Sequence, residues 1–420
     1  MNRRRTAVVG GGVAGLTAAY LLRRTSDVTL FEADDRLGGH AHTHRIADPG
    51  GRVLGVDSGF IVHNDRTYPT LLRLFGELGV ATQESEMSMS VRCEGCGLQY
   101  AGARGPAGLF ARPGSVLRIR YLRMLAQVPA FHRAAREALD SGRAETETLG
   151  SFLRGGGFSP YFVGHFVVPL VSAVWSCAPD AAMRHPAGHL FRFLHHHGLL
   201  SVTGSPRWRT VTGGSARYVE RVAEHLAAPR TAAPVRAVGR SADGARVTTE
   251  DGVTDDFDAV VLAVHPDQAL RMLADPTEDE RRVLGAFTYS RNETLLHTDG
   301  SLLPSARRAR ASWNYLMPSC TASPEGVLVS YDLNRLQRLP ATQEHVVSLN
   351  AAGRVDESRV LARMTYEHPL YTPRSVAAQQ ELPRLTTGVT AYAGAYHGWG
   401  FHEDGCRSGA AAAAALGVRW

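Results

Sequence analysis

The chain has no lysine. All 46 of its basic residues are arginine, set against 40 acidic residues for a formal net charge of +6 over 420 residues. This excludes Schiff-base catalysis and any mechanism that needs a lysine amine. Cysteine is scarce as well: Cys93, Cys96, Cys177, Cys320 and Cys406 are too few and too scattered for a disulfide framework, which points to a reducing, cytoplasmic setting. No run reaches the ~18 uninterrupted apolar residues of a membrane span. The nearest, 161–175, contains His165 and Pro169 and reads as a buried or interfacial helix, which leaves peripheral contact with a membrane surface open. The arginines are dispersed, without the basic block and interleaved aromatics of a nucleic-acid surface, so no nucleic-acid partner is expected. The basic start Asn2-Arg3-Arg4-Arg5 leads into functional glycines and not into a leader with a small-residue cleavage site. No feature of the sequence sets an oligomeric state.

What is present begins at once. A strand-like TAVVG runs into Gly10-Gly11-Gly12-Val13-Ala14-Gly15 and then into a helical LTAAYLL. Gly10, Gly12 and Gly15 fit G-x-G-x-x-G. The first permits the tight turn, the second lets backbone approach a pyrophosphate, and the third lets helix and strand pack closely. The helix N-terminus offers free N–H groups to phosphates. Glu32 closes the next apolar run about 20 residues on, where a carboxylate meets a ribose hydroxyl. Together these residues predict a dinucleotide-binding βαβ unit.

Further along, Arg36-Leu37-Gly38-Gly39-His40 forms a second glycine turn, followed by a strand over 53–62 and an amphipathic helix over 68–78. Residues 105–200 have helical periodicity. Strands return at 235–238 and 245–249 around the hairpin signal Asp243-Gly244, and 258–264 reads as a buried parallel strand. The chain closes with a strand over 390–394, a glycine-rich turn and an alanine-rich helix over 406–416. The expected fold class is α/β, with one nucleotide-binding domain assembled from the discontinuous segments 1–90, 205–265 and 385–420. A mixed α+β substrate domain takes 91–204 and 266–384.

These motifs resemble the flavin-containing amine oxidase and phytoene desaturase superfamily: the opening glycines, the acid ending strand two, the R-x-G-G turn, and the terminal GFHEDGCRSG before the last helix. Within it, VDSGFIVHNDRTYP, SWNYL and PRWRTVTGGSARYV look like a subfamily of predicted flavoproteins encoded beside cyclopropane fatty-acyl synthases. The resemblance implies a Rossmann-like FAD-binding domain of the p-cresol/amine-oxidase type. It places FAD against Gly10, Gly12, Val13, Ala14, Gly15, Glu32, Ala33, Gly38, Gly39, His40, Gly59, Phe60, Gly394 and Asp404. Arg36 is expected at the phosphates, the backbone of Val235 at the adenine, and the amides of Gly405 and Cys406 at the flavin pyrimidine edge.

The departures from the family pattern are informative. His40 stands where many relatives carry arginine, and Ala395 stands where an acid often meets the ribityl chain, a role open to Glu403 or Asp404. Amine oxidases of this fold typically use a lysine bridged by water to the flavin, and this chain has none. The resemblance therefore implies an FAD-dependent dehydrogenase or desaturase for a small hydrophobic substrate, fatty-acyl or isoprenoid-like, reoxidised by oxygen or a quinone-like acceptor. The alternatives are an amine or amino-acid oxidase and a non-redox flavin-dependent isomerase.

His397 and His402, beside the terminal turn and titrating near neutrality, are the expected proton acceptors. Trp313, Tyr315, Tyr396 and Trp399 are expected to line the substrate pocket. No metal site is expected: His40, His42 and His44 alternate without an acid or cysteine to complete a ligand set, and Cys93-x-x-Cys96 reads as a hairpin turn with no second pair.

Overall fold

The computed structural model describes residues 3–201, 204–321 and 326–420. Its central element is a parallel four-stranded sheet drawn from three distant stretches of chain, in the order Thr390–Tyr392, Ala259–Leu262, Arg4–Val9, Ser26–Phe31. The register pairs Val9 with both Phe31 and Leu262, and Leu262 with Tyr392. Strand Ala259–Leu262 is buried at every residue, as its uninterrupted AVVL predicts for a parallel strand covered on both faces.

Helix Val13–Leu22 follows the first strand and is buried all round. A helix without a polar face belongs to an interior. It lies against the last helix, His402–Ala415, at backbone distance: a Cβ on Gly409 would stand 2.2 Å from the Ala14 carbonyl oxygen, and one on Gly405 would stand 2.6 Å from the Val13 side chain. The two ends of the chain therefore meet.

A mixed seven-stranded sheet draws on 89–101 and 288–370, and ends at one edge in the eleven-residue strand Val360–Leu370. The helices between residues 105 and 200 share one hydrophobic core with this sheet, in which Phe131, Phe152, Phe158, Phe162 and Phe191 make edge-to-face and stacked contacts.

Three expectations about elements change. The strand expected over 53–62 ends at Asp57, whose buried carboxylate is pinned by Thr43, Ser215 and Gln337. The last helix begins at His402, a turn before Cys406, because Asp404 accepts the Phe401 N–H and caps it. The segment 161–175 faces the interior and not a lipid surface: Phe162, Val167, Val171 and Trp175 are buried. It is also interrupted by a wide π turn, Val163–Val167.

Candidate active site

Where the parallel strands end, a cavity of about 1420 Å3 opens and runs from the glycine loop to the helical region. This is where the ligand of an open parallel sheet belongs. The three opening glycines are there for three separate reasons. Gly10 has φ +105° and abuts the Ala263 carbonyl, Gly15 passes so close to the Gly10 carbonyl that a Cβ would stand 1.8 Å from it, and at Gly12 a Cβ would meet no protein atom within 4 Å. Protein packing explains the first and third. The second borders cavity, so only a ligand needs its bare backbone. No side chain caps the helix that starts at Val13, and its first turn carries no acid, which leaves its positive end for an anion.

The R-x-G-G turn sits directly on this loop. The Gly38 N–H donates to the Gly11 carbonyl, and Gly39 approaches Gly12. Arg36 reaches the cavity wall while donating to the carbonyls of Gly39 and Ala41. Glu32 accepts the N–H groups of Gly11 at 2.7 Å and Asp34 at 2.9 Å, so its carboxylate is fixed at the wall. Val13, Ala14, Ala33, Gly39, His40, Gly59, Phe60, Val235 and Gly394 line the cavity too, with Trp313, Tyr396 and His402. Gly59 is there by packing, since its Cβ would stand 2.1 Å from the His40 carbonyl.

Other expected residues stand behind the wall. Gly15 and Gly38 shape it from outside. Gly405 has already given its N–H to the Phe401 carbonyl, and Cys406 is turned to Thr17, so at this helix end the cavity is lined by Gly400, Phe401 and His402. Neither Asp404 nor Glu403 is free for a ribityl chain. Asp404 accepts the N–H groups of Trp399 and Phe401 and pairs with Arg407, while Glu403 accepts those of Thr70 and Leu71 at the start of helix Pro69–Leu78. Burial lifts the Asp404 carboxyl to about 6 despite Arg407.

His397 does not line the cavity, and burial lowers its pKa to about 4. His402 does line it, but is stacked flat on Phe60 with centroids 3.7 Å apart, and its Nε2 is held by the Tyr218 hydroxyl at 3.0 Å. Burial holds its pKa well below the ordinary histidine range. Tyr315 faces the helical core, and Trp399 donates its indole N–H to the His189 carbonyl, both outside the cavity wall.

Of the group that faces the cavity, His40, His265 and His368 with Tyr289 and Tyr366, the sequence pointed to His40 alone. His265 stacks on Tyr289 at 4.0 Å and lies 3.3 Å from the Glu367 carboxylate. Asn292 donates from Nδ2 to the Ser176 carbonyl and to Nδ1 of His368, so the proton of neutral His368 is assigned to Nε2. Burial, then mutual repulsion, lowers His40 to about 4 and His368 to about 3, and burial lowers His265 as well. These histidines come from three segments more than 100 residues apart, which no local motif could reveal. Near the helices the wall becomes apolar, with Leu125, Val128, Phe166, Leu170, Trp175 and Phe193.

AofH of Mycobacterium tuberculosis, which carries the name of a flavin-containing monoamine oxidase, is 27% identical over 282 residues. The match takes 64% of this chain and 58% of AofH, so less than two thirds of that relative is spanned. A coproporphyrinogen III oxidase of Mycobacterium leprae is 25% identical over 74% of this chain and 73% of its own. The crystal structure of a CLA-producing fatty acid isomerase from P. acnes superposes with a TM-score of 0.68 at 16% identity, over 97% of both chains, and so shares the fold. FAD fits this cavity: a bare Gly12, an uncapped helix end, the fixed carboxylate of Glu32 and an arginine turn lie along one wall. The model of the family described as flavin containing amine oxidoreductase matches residues 13–295, and the chain belongs to that family.

Proposed function

We propose that the protein is an FAD-dependent oxidoreductase that removes a hydride from an uncharged, hydrophobic substrate of fatty-acyl or isoprenoid type, with oxygen or a quinone-like acceptor taking the electrons. One observation carries this reading: the chamber beyond the nucleotide wall is apolar and aromatic. The carboxylates along the whole cavity are Glu32, Asp34, Glu250 and Glu367. The first two flank the glycine loop, Glu250 is hydrogen-bonded through its backbone to Pro234 beside Val235, and Glu367 lies against His265. Among the described residues, no acid stands with Leu125, Val128, Phe166, Leu170, Trp175 and Phe193 to hold an ammonium group. An unpaired cation there would carry a large desolvation cost, whereas a hydrocarbon chain gains about 0.8 kcal/mol per buried CH2.

Bound FAD supplies a hydride acceptor. The chain supplies the rest. The opening glycines and Arg36 hold the phosphates, and the aromatic wall orients the substrate and excludes water. The buried histidines stand where a proton can be taken up. Loss of hydride from one carbon makes the C–H on its neighbour strongly acidic, so a neutral imidazole with a pKa near 3–4 is basic enough to take that proton while the C–H electron pair forms the double bond, and no lysine is needed.

Anaerobic mixing of the yellow protein with lipid extract is expected to bleach the flavin, and an amine panel is expected to leave it oxidised. Bleaching by amines alone would overturn the reading. A product of unchanged mass with a moved double bond would establish the isomerase instead.

A source for such a substrate is also suggested. Leu117 and Ile119 are 82% and 81% exposed, with Val116 and Leu122 exposed nearby among Arg112, Arg120 and Arg123. The same helix, Ile119–Asp140, carries Leu125 and Val128 into the chamber wall. Apolar tips among arginines suit an anionic lipid surface. Flotation with phosphatidylglycerol vesicles is expected, and flotation unchanged in L117S/I119S would remove the idea.

A further inference from the structure

The Cys93-x-x-Cys96 turn lies at the tip of strands Met89–Cys93 and Gln99–Ala101, as expected for a hairpin, but it is not alone. Cys320, just beyond strand Trp313–Met317, and His165, inside the π turn Val163–Val167, close on it. One ligand atom from each of the four residues lies within 4.8 Å of all the others. We propose that Cys93, Cys96, Cys320 and His165 form a tetrahedral Cys3His site for a zinc ion, a structural centre outside the flavin cavity.

The spacing matches the ion. Zn–S bonds of about 2.3 Å and Zn–N bonds of about 2.0–2.1 Å at tetrahedral angles put sulfurs about 3.8 Å apart and sulfur about 3.5 Å from nitrogen. Here Cys93 Sγ is 3.8 Å from Cys320 Sγ, and Cys96 Sγ is 3.6 Å from His165 Nε2. The first distance is far too long for a disulfide. The imidazole has the tautomer a ligand needs. His165 Nδ1 lies 3.1 Å from the Tyr161 carbonyl, which can only accept, so the proton sits on Nδ1 and the Nε2 lone pair faces the sulfurs. The ring is further held by stacking on Tyr161 at 3.9 Å.

The surrounding backbone is shaped for the cluster. The Cys96 N–H points to the Cys93 sulfur and the Leu98 N–H to the Cys96 sulfur. Gly95 lets Cys320 approach so closely that a Cβ would stand 2.9 Å from the Cys320 nitrogen. Three thiolates around a dication leave one negative charge, and Arg118 stands by, donating to the Cys96 carbonyl at 2.8 Å. The site joins two strands of the mixed sheet to the helix that carries Phe166 and Leu170 into the chamber. A bound ion would therefore fasten the chamber wall to the sheet, and it gives the π turn a purpose, because such turns collect at functional sites.

The test is the metal content of the full-length, flavin-loaded protein, purified in reducing buffer without chelator. About one zinc per FAD is expected by mass spectrometry of the elements. Cys96→Ser, Cys320→Ser and His165→Ala are each expected to lower zinc to background while FAD content stays unchanged. Zinc-free protein with full flavin, or a Cys93–Cys96 disulfide in peptide mass spectra, overturns the proposal. Should the variants fail to fold, unaltered protein grown with cobalt provides a second measurement. The thiolate-to-cobalt charge-transfer and strong visible bands of a tetrahedral site are expected, and their absence overturns the proposal equally.

Discussion

The opening glycine loop and the closing glycine turn look alike in sequence and serve opposite ends. In the first, Gly12 faces the cavity and its missing side chain leaves room for a ligand. In the second, Gly405 and Gly409 face the Val13–Leu22 helix, and their missing side chains let two helices touch. The acids differ in place: all three accept backbone N–H groups, but Glu32 does so at the cavity wall, whereas Glu403 and Asp404 do so behind it. A glycine-rich motif near a cofactor thus has two readings, and only the direction each Cβ would take separates them.

The largest expected effect tests the packing side. Gly409→Ala would press a methyl into the Ala14 carbonyl, which cannot move without displacing the glycine loop. A loss of about 3 kcal/mol is expected, read as a fall in Tm of both apo and flavin-loaded protein. An unchanged Tm would mean that the helices tolerate separation. Acidification should act on the whole site. His40, His63 and His397 are lowered to about 4, and His42, His189 and His368 to about 3, chiefly by burial. The unfolded chain binds more protons than the folded one between those values and 6.5, so stability present above pH 6.5 drains away toward pH 4. Asp57 and Asp404, raised to about 6 by burial, work the other way: their contribution is present in acid and fades as pH rises through 6. His197 and His297, also lowered to about 4, join these histidines, so the two raised carboxylates are outweighed and Tm should fall in acid; a Tm that rises there would contradict these burials.

General-base variants should separate the histidine groups. His368→Ala is expected to slow anaerobic flavin bleaching by about 100-fold, while His397→Ala leaves it unchanged. Equal losses in both would erase the distinction between cavity and second layer. Gly12→Ala is expected to fold with unchanged apo Tm and to bind FAD about tenfold more weakly, roughly 1.4 kcal/mol. Normal flavin affinity would show that no phosphate approaches there. Smallest is Glu403→Gln, which weakens the hold on the Thr70 and Leu71 amides and is expected to cost about 1 kcal/mol in stability without changing the flavin spectrum.

Much of the nucleotide half was legible from the sequence because its determinants are local. A strand, a tight turn, a helix start and an acid at fixed spacing lie within forty residues, and backbone geometry leaves little choice in how they fold. The terminal turn was recognisable as a motif, but the start of its helix was not, since capping by Asp404 begins it at His402, a turn before Cys406. Nothing near Cys93 and Cys96 in the sequence announced His165 and Cys320, one brought in by a π turn and the other by strand pairing of Met317 with Cys93.

By itself the sequence determined the glycine loop, the buried parallel strands and the absence of any lysine for the chemistry. Short-range sterics and apolar patterning suffice for these. Only the tertiary structure decided which imidazoles meet at the cavity, which carboxylates are spent on backbone amides, and which thiols converge. The meeting of the imidazoles, the convergence of the thiols with His165 and the hold of Glu403 on Thr70 and Leu71 depend on contacts between segments more than 60 residues apart, where burial and the direction of each side chain are set by packing and not by neighbours in the chain.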